Sequence, residues 1–213
     1  MSDDRQTRRR GRPKTVDRQR VIAQAMEHYW REGIHALSLN EVCRRASLAK
    51  PALYREFGDE DGLKEAVLLE YREQVLLPVL RALTRELPFA EIAQRLIVGM
   101  SSDRGTPAGC LFTQMRFVRQ RLGPATKARL EALEQERRQG FEAWYRKAQE
   151  RAEVSSQIDP ALAAHYIDTQ LTAVLMQMKT DEPVEMVRAQ ARLAFEVLLT
   201  DGAKLPTPQD QPA

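Results

Sequence analysis

The sequence predicts an all-α protein, and three observations support this fold class. Apolar residues recur at helical spacing through most of the 213 residues, while β-hairpin signals and alternating runs of Val, Ile and Thr are absent. Charged residues make up 30% of the chain and aromatic residues 6%, which is typical of soluble helical proteins. Proline and glycine divide the chain into short helices followed by long ones. We therefore expect a small three-helix domain followed by a helical bundle.

The N-terminal segment, residues 1–14, is polar and basic, and we expect it to be a disordered arm. Residues 1–20 contain eight Lys or Arg and three acidic residues, so their net charge is +5 against +3 for the whole chain. The positive charge is thus concentrated at one end. This asymmetry favours an acidic partner, with nucleic acid as the first candidate.

Three short helices are predicted after the arm, over residues 16–32, 38–46 and 50–57. Gly33 marks the end of the first helix. Ser38 is followed three residues later by Glu41, which matches a capping box at the start of the second. Pro51 suits the first turn of the third helix, where its missing N–H costs nothing, and Gly58 ends that helix.

The tight turn between the second and third helices indicates a helix-turn-helix, in which the last helix lies in the DNA major groove. Leu53 and Phe57 are four residues apart and should face the core. Lys50 and Arg55 are then free to contact phosphates or guanine edges, and the Tyr54 hydroxyl can donate to a phosphate. The start of the second helix offers another phosphate site. The expected DNA contacts here are Ser38, Lys50, Pro51, Ala52, Tyr54 and Arg55.

The stretch "LSLNEVCRRASLAKPALYREFGDEDGLKEAVL" resembles the DNA-binding signature of the TetR family of bacterial transcriptional regulators. The resemblance covers roughly residues 15–68 in detail; the Ala52–Tyr54 run, Phe57 and Leu63 carry it. It implies a homodimer with one helix-turn-helix per subunit, a palindromic double-stranded DNA operator, and release of the DNA when a small molecule binds.

Three positions depart from the family pattern. Ala49 stands where the family often has a small polar cap, Pro51 where it often has Gly, and Glu60 where it often has a phosphate-binding Lys. Residues 21–64 contain six basic and seven acidic residues, a net charge of −1, and Asp61 is one of the acidic residues near the predicted DNA surface. We therefore expect this domain alone to bind DNA weakly at physiological salt.

The arm offers a remedy for this weak binding. Its "RRRGRPK" segment, residues 8–14, resembles the core of an AT-hook, which places arginines in a narrow A·T-rich minor groove. The arm would then supply general affinity, through Arg9, Arg10, Arg12 and Lys14. The alternative is a basic tail that only aids solubility.

The rest of the chain is predicted to form long helices near 60–86, 89–101, 109–122, 125–152, 160–179 and 184–200. Pro78 should kink or split the first of them. The domain boundaries we expect are 15–59 for the helix-turn-helix, 60–201 for the ligand-binding and dimerisation domain, and 202–213 for a disordered tail. The last two helices have wide apolar stripes, and pairing them with their copies in a second subunit makes a four-helix interface.

The middle helices are expected to enclose an effector pocket. Its candidate residues are Met100, Cys110, Gln114, Phe117, Trp144 and His165, although aromatic and Met stripes are also typical of ordinary cores. In "DRGTPAGCLFTQMR", Cys110 falls at a predicted helix start beside Arg104, and both features favour a reactive thiolate. A Gly-Cys pair here resembles a subset of the family that senses electrophiles or oxidants; the alternative is a small buried residue.

The sequence contains no catalytic constellation, phosphate loop or metal-type cysteine spacing, so we expect neither an enzyme nor a cofactor. It also contains no secretory signal and no apolar run long enough for a membrane, which favours the bacterial cytoplasm. The leading hypothesis is a ligand-responsive repressor. Two alternatives remain: an architectural, A·T-preferring DNA-binding protein without an effector, and a small helical enzyme.

Overall fold

The computed structural model describes residues 17–36, 38–46, 48–102, 105–200 and 202–206. Within those ranges the chain is helical and has no strand; an isolated antiparallel bridge joins Val154 to Leu199. The short N-terminal helices are α1 (Arg18–Glu32), α2 (Leu39–Arg45) and α3 (Lys50–Phe57). The remaining helices are α4 (Glu60–Tyr71), α5 (Leu77–Leu83), α6 (Phe89–Met100), α7 (Leu111–Phe117), α8 (Pro124–Glu150), α9 (Pro160–Lys179) and α10 (Val184–Glu196).

This architecture confirms the predicted all-α class and the order of short and long helices. No helix in the described ranges is long and apolar enough to cross a membrane. The predicted arm and most of the predicted tail lie outside the described residues. Most predicted helix ends agree with the observed ones within about one turn, close to the usual uncertainty of helix boundaries.

The helix expected over residues 60–86 is divided, as Pro78 predicted. A π-helical turn, Arg72–Leu76, separates α4 from α5, and Pro78 lies in the first turn of α5. Proline lacks an N–H and its ring collides with the carbonyl four residues earlier, so a regular α-helix cannot continue through it. The wider π turn accommodates the ring without ending the helical backbone.

The helix expected over residues 109–122 is shorter than predicted. Cys110 has an extended backbone with φ −138° and serves as the N-terminal flanking residue of α7. After Phe117 the chain tightens into a 3-10 turn at Arg119–Arg121. The short α7 leaves residues 105–110 as a loop, with Gly105 and Gly109 in left-handed conformations.

One hydrophobic core joins the short helices to the long ones. It contains Tyr29 of α1, Leu53 of α3 and Tyr71 of α4, each at most 1% exposed, and it continues into α7 and α8 through Met115 and Leu130. The core therefore runs across the predicted domain boundary at residue 59. The helix-turn-helix therefore packs directly against the rest of the protein and is not an independent domain joined to it by a linker.

A second core fills the other end of the molecule. It is built by α6, the C-terminal half of α8, α9 and α10, with Phe89, Phe141, Tyr145 and Phe195 almost fully buried. Phe89 stacks on Trp144 with ring centroids 4.2 Å apart. The exposed large side chains of this half lie mainly on α9 and α10.

The turn between α3 and α4 depends on a close backbone approach at Gly62. Asp59 caps α4 by accepting a hydrogen bond from the Gly62 N–H at 2.8 Å. A Cβ atom on residue 62 would lie 2.0 Å from the carbonyl oxygen of Phe57, so no side chain fits there without moving the backbone. The angle between α3 and α4 is therefore fixed by a glycine.

We expect Gly62→Ala to lower the free energy of unfolding by about 1–3 kcal/mol, measured by urea denaturation, because the backbone must shift to admit the methyl group. The matched control is Gly140→Ala in α8. Its new Cβ would meet the Leu80 Cδ2 atom at 2.8 Å, and that side-chain tip can rotate away. Equal effects of the two substitutions would contradict the proposed backbone constraint.

Candidate nucleic-acid interface and internal cavity

The start of α2 forms half of the predicted capping box. The Ser38 Oγ accepts a hydrogen bond from the Glu41 N–H at 3.3 Å. The Glu41 carboxylate pairs with Arg44 at 2.5 Å and Arg45 at 2.6 Å, where the full motif would have it bind the Ser38 N–H. Hydrogen bonds from these two guanidinium groups lower the pKa of Glu41 to about 2. The Ser38 hydroxyl keeps its own proton for an external acceptor such as phosphate.

The exposed side of α3 carries the residues that the sequence assigned to DNA. Lys50, Pro51 and Arg55 are exposed and Tyr54 is 48% exposed, while Ala52 is half-buried. Leu53 and Phe57 face the core as their spacing predicted. Ala49 precedes α3 without a side-chain cap. Pro51 has no N–H and the Ala52 N–H donates to the Ala49 carbonyl at 2.9 Å, so in the described chain the Lys50 N–H is the uncapped donor of this first turn. The helix thus presents polar side chains and the Lys50 N–H at its start.

Each acidic residue of segment 21–64 has a partner inside the protein. Five pair with Lys or Arg: Glu27 with Arg31, Glu32 with Arg45, Glu41 with Arg44 and Arg45, Glu56 with Arg55, and Glu60 with Lys64. The other two, Asp59 and Asp61, cap helices. In this described segment Lys50 is then the basic residue without a carboxylate at ion-pair distance, so its charge is available to an external anion.

Asp61 joins α4 to the start of α8. Its carboxylate accepts hydrogen bonds from the Ala125 N–H at 2.8 Å and the Thr126 Oγ1 at 2.5 Å. A Cβ atom on Gly123 would lie 2.2 Å from the Asp61 Cγ, so a glycine is required where the carboxylate packs. The helix N-terminus compensates the negative charge of Asp61. The expectation that Asp61 opposes DNA at the surface is corrected, because this side chain is directed into the protein.

The start of α1 also packs near α3. The Arg18 guanidinium lies over the Phe57 ring, 5.1 Å from its centroid. This cation–π contact holds a positive charge beside the end of α3. The predicted arm contacts, Arg9, Arg10, Arg12 and Lys14, lie outside the described residues and stay predictions.

A cavity of about 640 Å³ lies in the body of the protein. The last turn of α1, the π turn, α5, α6, loop 105–110, α8 and α9 contribute to its walls. Its volume is within the range of small-molecule sites. Exposed residues at its rim, among them Gln74 and Pro78, connect it with solvent.

The buried end of the cavity contains a polar cluster. The Tyr71 hydroxyl donates to the Cys110 Sγ at 3.2 Å, and burial together with Cys110 raises the pKa of Tyr71 well above its usual value. Cys110 belongs to the cavity lining although the residue is only 5% exposed. Arg104, which was expected to favour its thiolate, lies outside the described residues.

Trp30 links this end of the cavity to the helix-turn-helix. It lies in the last turn of α1 and belongs to the cavity lining, and its ring meets that of Tyr71 edge-on with centroids 4.9 Å apart. The Trp30 Nε1 donates to the Gly109 carbonyl at 3.2 Å, and the Trp30 carbonyl accepts from the Gln114 Nε2 at 3.0 Å. Trp30 of α1 is therefore held both by loop 105–110, through Gly109, and by α7, through Gln114.

The six residues predicted for the pocket are divided by the structure. Met100 and Cys110 line the cavity. The other four correct the prediction. Gln114 binds the Trp30 backbone, outside the wall; Phe117, 69% exposed, and His165 are on the surface; and Trp144 is packed against Phe89 in the second core. Trp144 shares a face of α8 with Phe141 but lies further along the helix, beside Phe89. A sequence pattern shows neither how far along a helix a cavity extends nor how each helix is rotated.

Several residues that line the cavity were not predicted from the sequence. Trp30 was not expected there because α1 was assigned wholly to the helix-turn-helix. Arg137 and Phe141 belong to α8, whose alternating charges indicated a solvated face. In the structure Arg137 is buried, with its guanidinium 4.8 Å from the Phe112 ring centroid. The available signal was the Arg137–Phe141 spacing of four residues, which places both on one side of a helix.

Comparison with known proteins identifies two matching family models. Residues 21–67 match the model described as bacterial regulatory proteins, tetR family. Residues 90–193 match the model described as tetracyclin repressor-like, C-terminal domain. The two matches lie one after the other and together cover more than two thirds of the chain.

Two curated relatives from Escherichia coli (strain K12) are similar over part of their length. The HTH-type transcriptional repressor ComR is 33% identical over 105 residues, which are 47% of this chain and 50% of ComR. The HTH-type transcriptional repressor BdcR is 29% identical over 114 residues, 52% of this chain and 58% of BdcR. The matched region therefore spans between half and three fifths of each relative.

Solved structures establish the fold over most of the chain. A cysteine-substituted form of the TetR family transcriptional regulator CifR, complexed with 26-base-pair double-strand operator DNA, superposes with a TM-score of 0.74 at 22% identity. It covers 88% of this chain and 100% of its own. The reduced form of E. coli NemR gives a TM-score of 0.72 at 16% identity and covers 87% of this chain and 98% of its own.

Proposed function

Because the chain belongs to the TetR family of bacterial transcriptional regulators, we propose that it represses transcription by binding a palindromic DNA operator as a homodimer. A small molecule in the cavity releases it. The observation that carries this proposal is that Trp30 belongs both to the helix-turn-helix and to the cavity wall. The relatives ComR and BdcR are repressors by name, which supports the sign of regulation.

The DNA-binding surface in this proposal is the exposed side of α3 together with the start of α2. Lys50, which has no carboxylate of the described chain at ion-pair distance, and Tyr54 contact the operator, while the arm adds affinity that does not depend on sequence. Because the acidic residues of segment 21–64 are paired internally, their opposition to DNA is weaker than the net charge of −1 implies. The operator is read by two copies of α3 in successive major grooves, about 34 Å apart.

The release step is a population shift. The two recognition helices match the operator in one subunit arrangement, and the effector binds better to another. A molecule in the cavity displaces Trp30 or loop 105–110, and the displacement reaches α1 through the Gly109 and Gln114 hydrogen bonds. The π turn beside Pro78 lies in the same wall and gives α4 and α5 a place to change direction.

The dimer interface in this proposal is formed by α9 and α10. Their exposed large apolar residues are Leu162, Met176, Met186, Leu193 and Val197. Met186 and Leu193 of α10 and Val197, which directly follows that helix, recur at intervals of seven and four, so they lie along one face. A stripe of this kind on two neighbouring helices is buried when a second copy supplies the same two helices.

The finer proposal for the effector is an electrophile or oxidant that reacts at Cys110. Its support is that Cys110 is among the residues that line a cavity large enough for a small molecule. Addition of the thiolate to an electrophile would also break the hydrogen bond from Tyr71 and change the packing beside Gly109. Modification at this position would therefore act on the contacts of Trp30.

For DNA binding, the expected result of selection from a random library is a palindrome with half-sites about one helical turn apart. Lys50→Ala should weaken binding to that palindrome by roughly 5- to 150-fold, the effect of removing one interaction with a base or a phosphate. Arg10→Ala with Arg12→Ala should weaken binding to all sequences and reduce the salt slope by roughly one for each phosphate that the arm no longer neutralises.

Arg138→Ala, at an exposed basic residue of α8, is the control for the removal of charge and should leave affinity unchanged. Fluorescence anisotropy at several salt concentrations measures all three variants. Enrichment of A·T-rich sequence without symmetry would refute the operator proposal and favour the architectural alternative. If the arm variant keeps its non-specific affinity, the assignment of the arm is wrong.

For the dimer, Leu193→Asp should raise the dissociation constant by at least about 100-fold, because each dimer loses two buried leucines and gains two buried charges. Sedimentation velocity over a concentration series measures this change. The control is Tyr54→Asp, which introduces the same charge at an exposed large side chain on α3. The protein with this substitution should remain dimeric. A dimer that survives Leu193→Asp would place the interface elsewhere.

For Cys110, N-ethylmaleimide should label the Cys43→Ser variant at least about tenfold faster than the Cys110→Ser variant, because access governs thiol reactivity. The retained Cys110 opens on the cavity, whereas Cys43 is packed in the core and its burial raises the pKa of its thiol. Mass spectrometry against time measures both rates. Similar rates, or labelling that leaves operator binding intact, would remove the support for an electrophilic effector.

A further inference from the structure

The charges around the cavity all have the same sign. The charged side chains among its described lining residues belong to Arg85, Arg95 and Arg137, and no Asp or Glu of the described chain contributes to the wall. Most of the other lining residues are apolar, including Leu76, Leu96, Phe141, Leu175 and Met178. The cavity thus combines a hydrophobic interior with positive potential, which selects against cations and favours an anion with an apolar body.

The three arginines differ in how far their charge is compensated. Arg137 pairs with Asp168 at 2.5 Å and Arg95 pairs with Glu91 at 2.6 Å. Arg85 follows α5, is exposed, and has no carboxylate of the described chain at ion-pair distance. Its guanidinium therefore contributes an uncompensated charge to the cavity rim.

A further positive charge lies behind the buried wall. Within the described residues, the carboxylates paired with Arg116, Arg119 and Arg137 are those of Glu134 and Asp168. The contacts include Arg116 to Glu134 at 3.0 Å and Arg116 to Asp168 at 2.9 Å. Three cations and two anions leave one positive charge in a partly buried network. This excess strengthens the potential inside the cavity, because charges are screened less away from water.

We propose that the effector is a small amphipathic acid, with one carboxylate group and an apolar body. This inference rests on the proposed function, in that it takes the cavity as the effector site. The carboxylate binds the Arg85 guanidinium at the rim, with Arg95 nearby in the same wall, and stays partly hydrated there. The body extends inward between Leu96 and Phe141, towards Cys110.

The rim position follows from the cost of desolvation. A carboxylate buried at the inner end would lose its water, and the guanidinium of Arg137 there is already bound to Asp168. At the rim, Arg85 offers parallel N–H donors that match the two carboxylate oxygens. A cavity of 640 Å³ corresponds to about 20 water volumes, so a chain or ring system of about ten carbon atoms fits.

Three probes of equal length test the ligand class on the full-length protein without DNA: decanoate, decan-1-ol and decylamine, below their micelle concentrations. Binding is followed by tryptophan fluorescence, since Trp30 lines the cavity and the other tryptophan, Trp144, does not. Decanoate should bind about tenfold more tightly than decan-1-ol, the effect of one charge-assisted pair at a partly exposed site. Decylamine should bind more weakly than the alcohol.

Three substitutions distinguish a specific contact with the Arg85 guanidinium from a general effect of positive charge near the cavity. Arg85→Met should raise the dissociation constant of decanoate about tenfold and leave that of decan-1-ol unchanged. Arg85→Lys should restore part of the affinity, since it keeps the charge without the bidentate geometry. Arg81→Met removes the same charge four residues earlier, from an exposed side chain that does not line the cavity, and should change neither constant.

The inference is overturned if the alcohol or the amine binds as tightly as decanoate, or if Arg81→Met and Arg85→Met have equal effects. Release of a selected operator is measured separately. Carboxylate selectivity without release would keep the ligand class and refute the proposed release mechanism. Absence of any operator would refute the repressor proposal and leave the binding measurements, which need no DNA, interpretable.

Discussion

The two-sided burial of α4 is the constraint on which the remaining structure depends. Leu63, Val67 and Leu68 are each fully buried, because α1 packs on one side of this helix and α8 on the other. Such a helix cannot be moved without opening a core on at least one side, and close-packed cores resist partial shifts. In the proposed release step, a change in the cavity would therefore be transmitted as a shift between packed arrangements and not absorbed locally.

Trp30 provides a second connection between the cavity and the helix-turn-helix. Its two hydrogen bonds, each contributing about 1 kcal/mol, connect α1 to the cavity loop and to α7 independently of α4. Typical couplings between sites in proteins are about 1–3 kcal/mol, so breaking these two hydrogen bonds alone is of the required size. The last turn of α1 is held by Gly109 at the Trp30 side chain and by Gln114 at its carbonyl, and a displacement of either one changes the support of the helix-turn-helix.

The sequence was sufficient to predict features that depend on a single helix. The spacing of Leu53 and Phe57 correctly assigned the buried side of α3, and Pro78 correctly marked the break before α5. It was insufficient where several helices meet. Phe117 is an aromatic residue in a plausible position but points to solvent, and Arg137 belongs to a charged pattern but is buried, because the wall of a cavity depends on the rotation of each helix about its axis. Apolar periodicity shows which residues share a helix face, but it does not show which other helices or cavities that face contacts.

The same limit explains why a charge count alone misjudges the helix-turn-helix. A net charge of −1 treats every carboxylate as exposed to DNA, whereas Asp61 is bound to the start of α8 and Glu60 to Lys64. Pairing removes these charges locally and leaves Lys50 free. In the cavity the uncompensated charge is Arg85, which has no such partner in the described chain. The positions of uncompensated charge, and not the totals, thus decide what each surface favours. Both sites are left cationic: one is open to a polyanion, and the other is enclosed by apolar walls that favour a small acid.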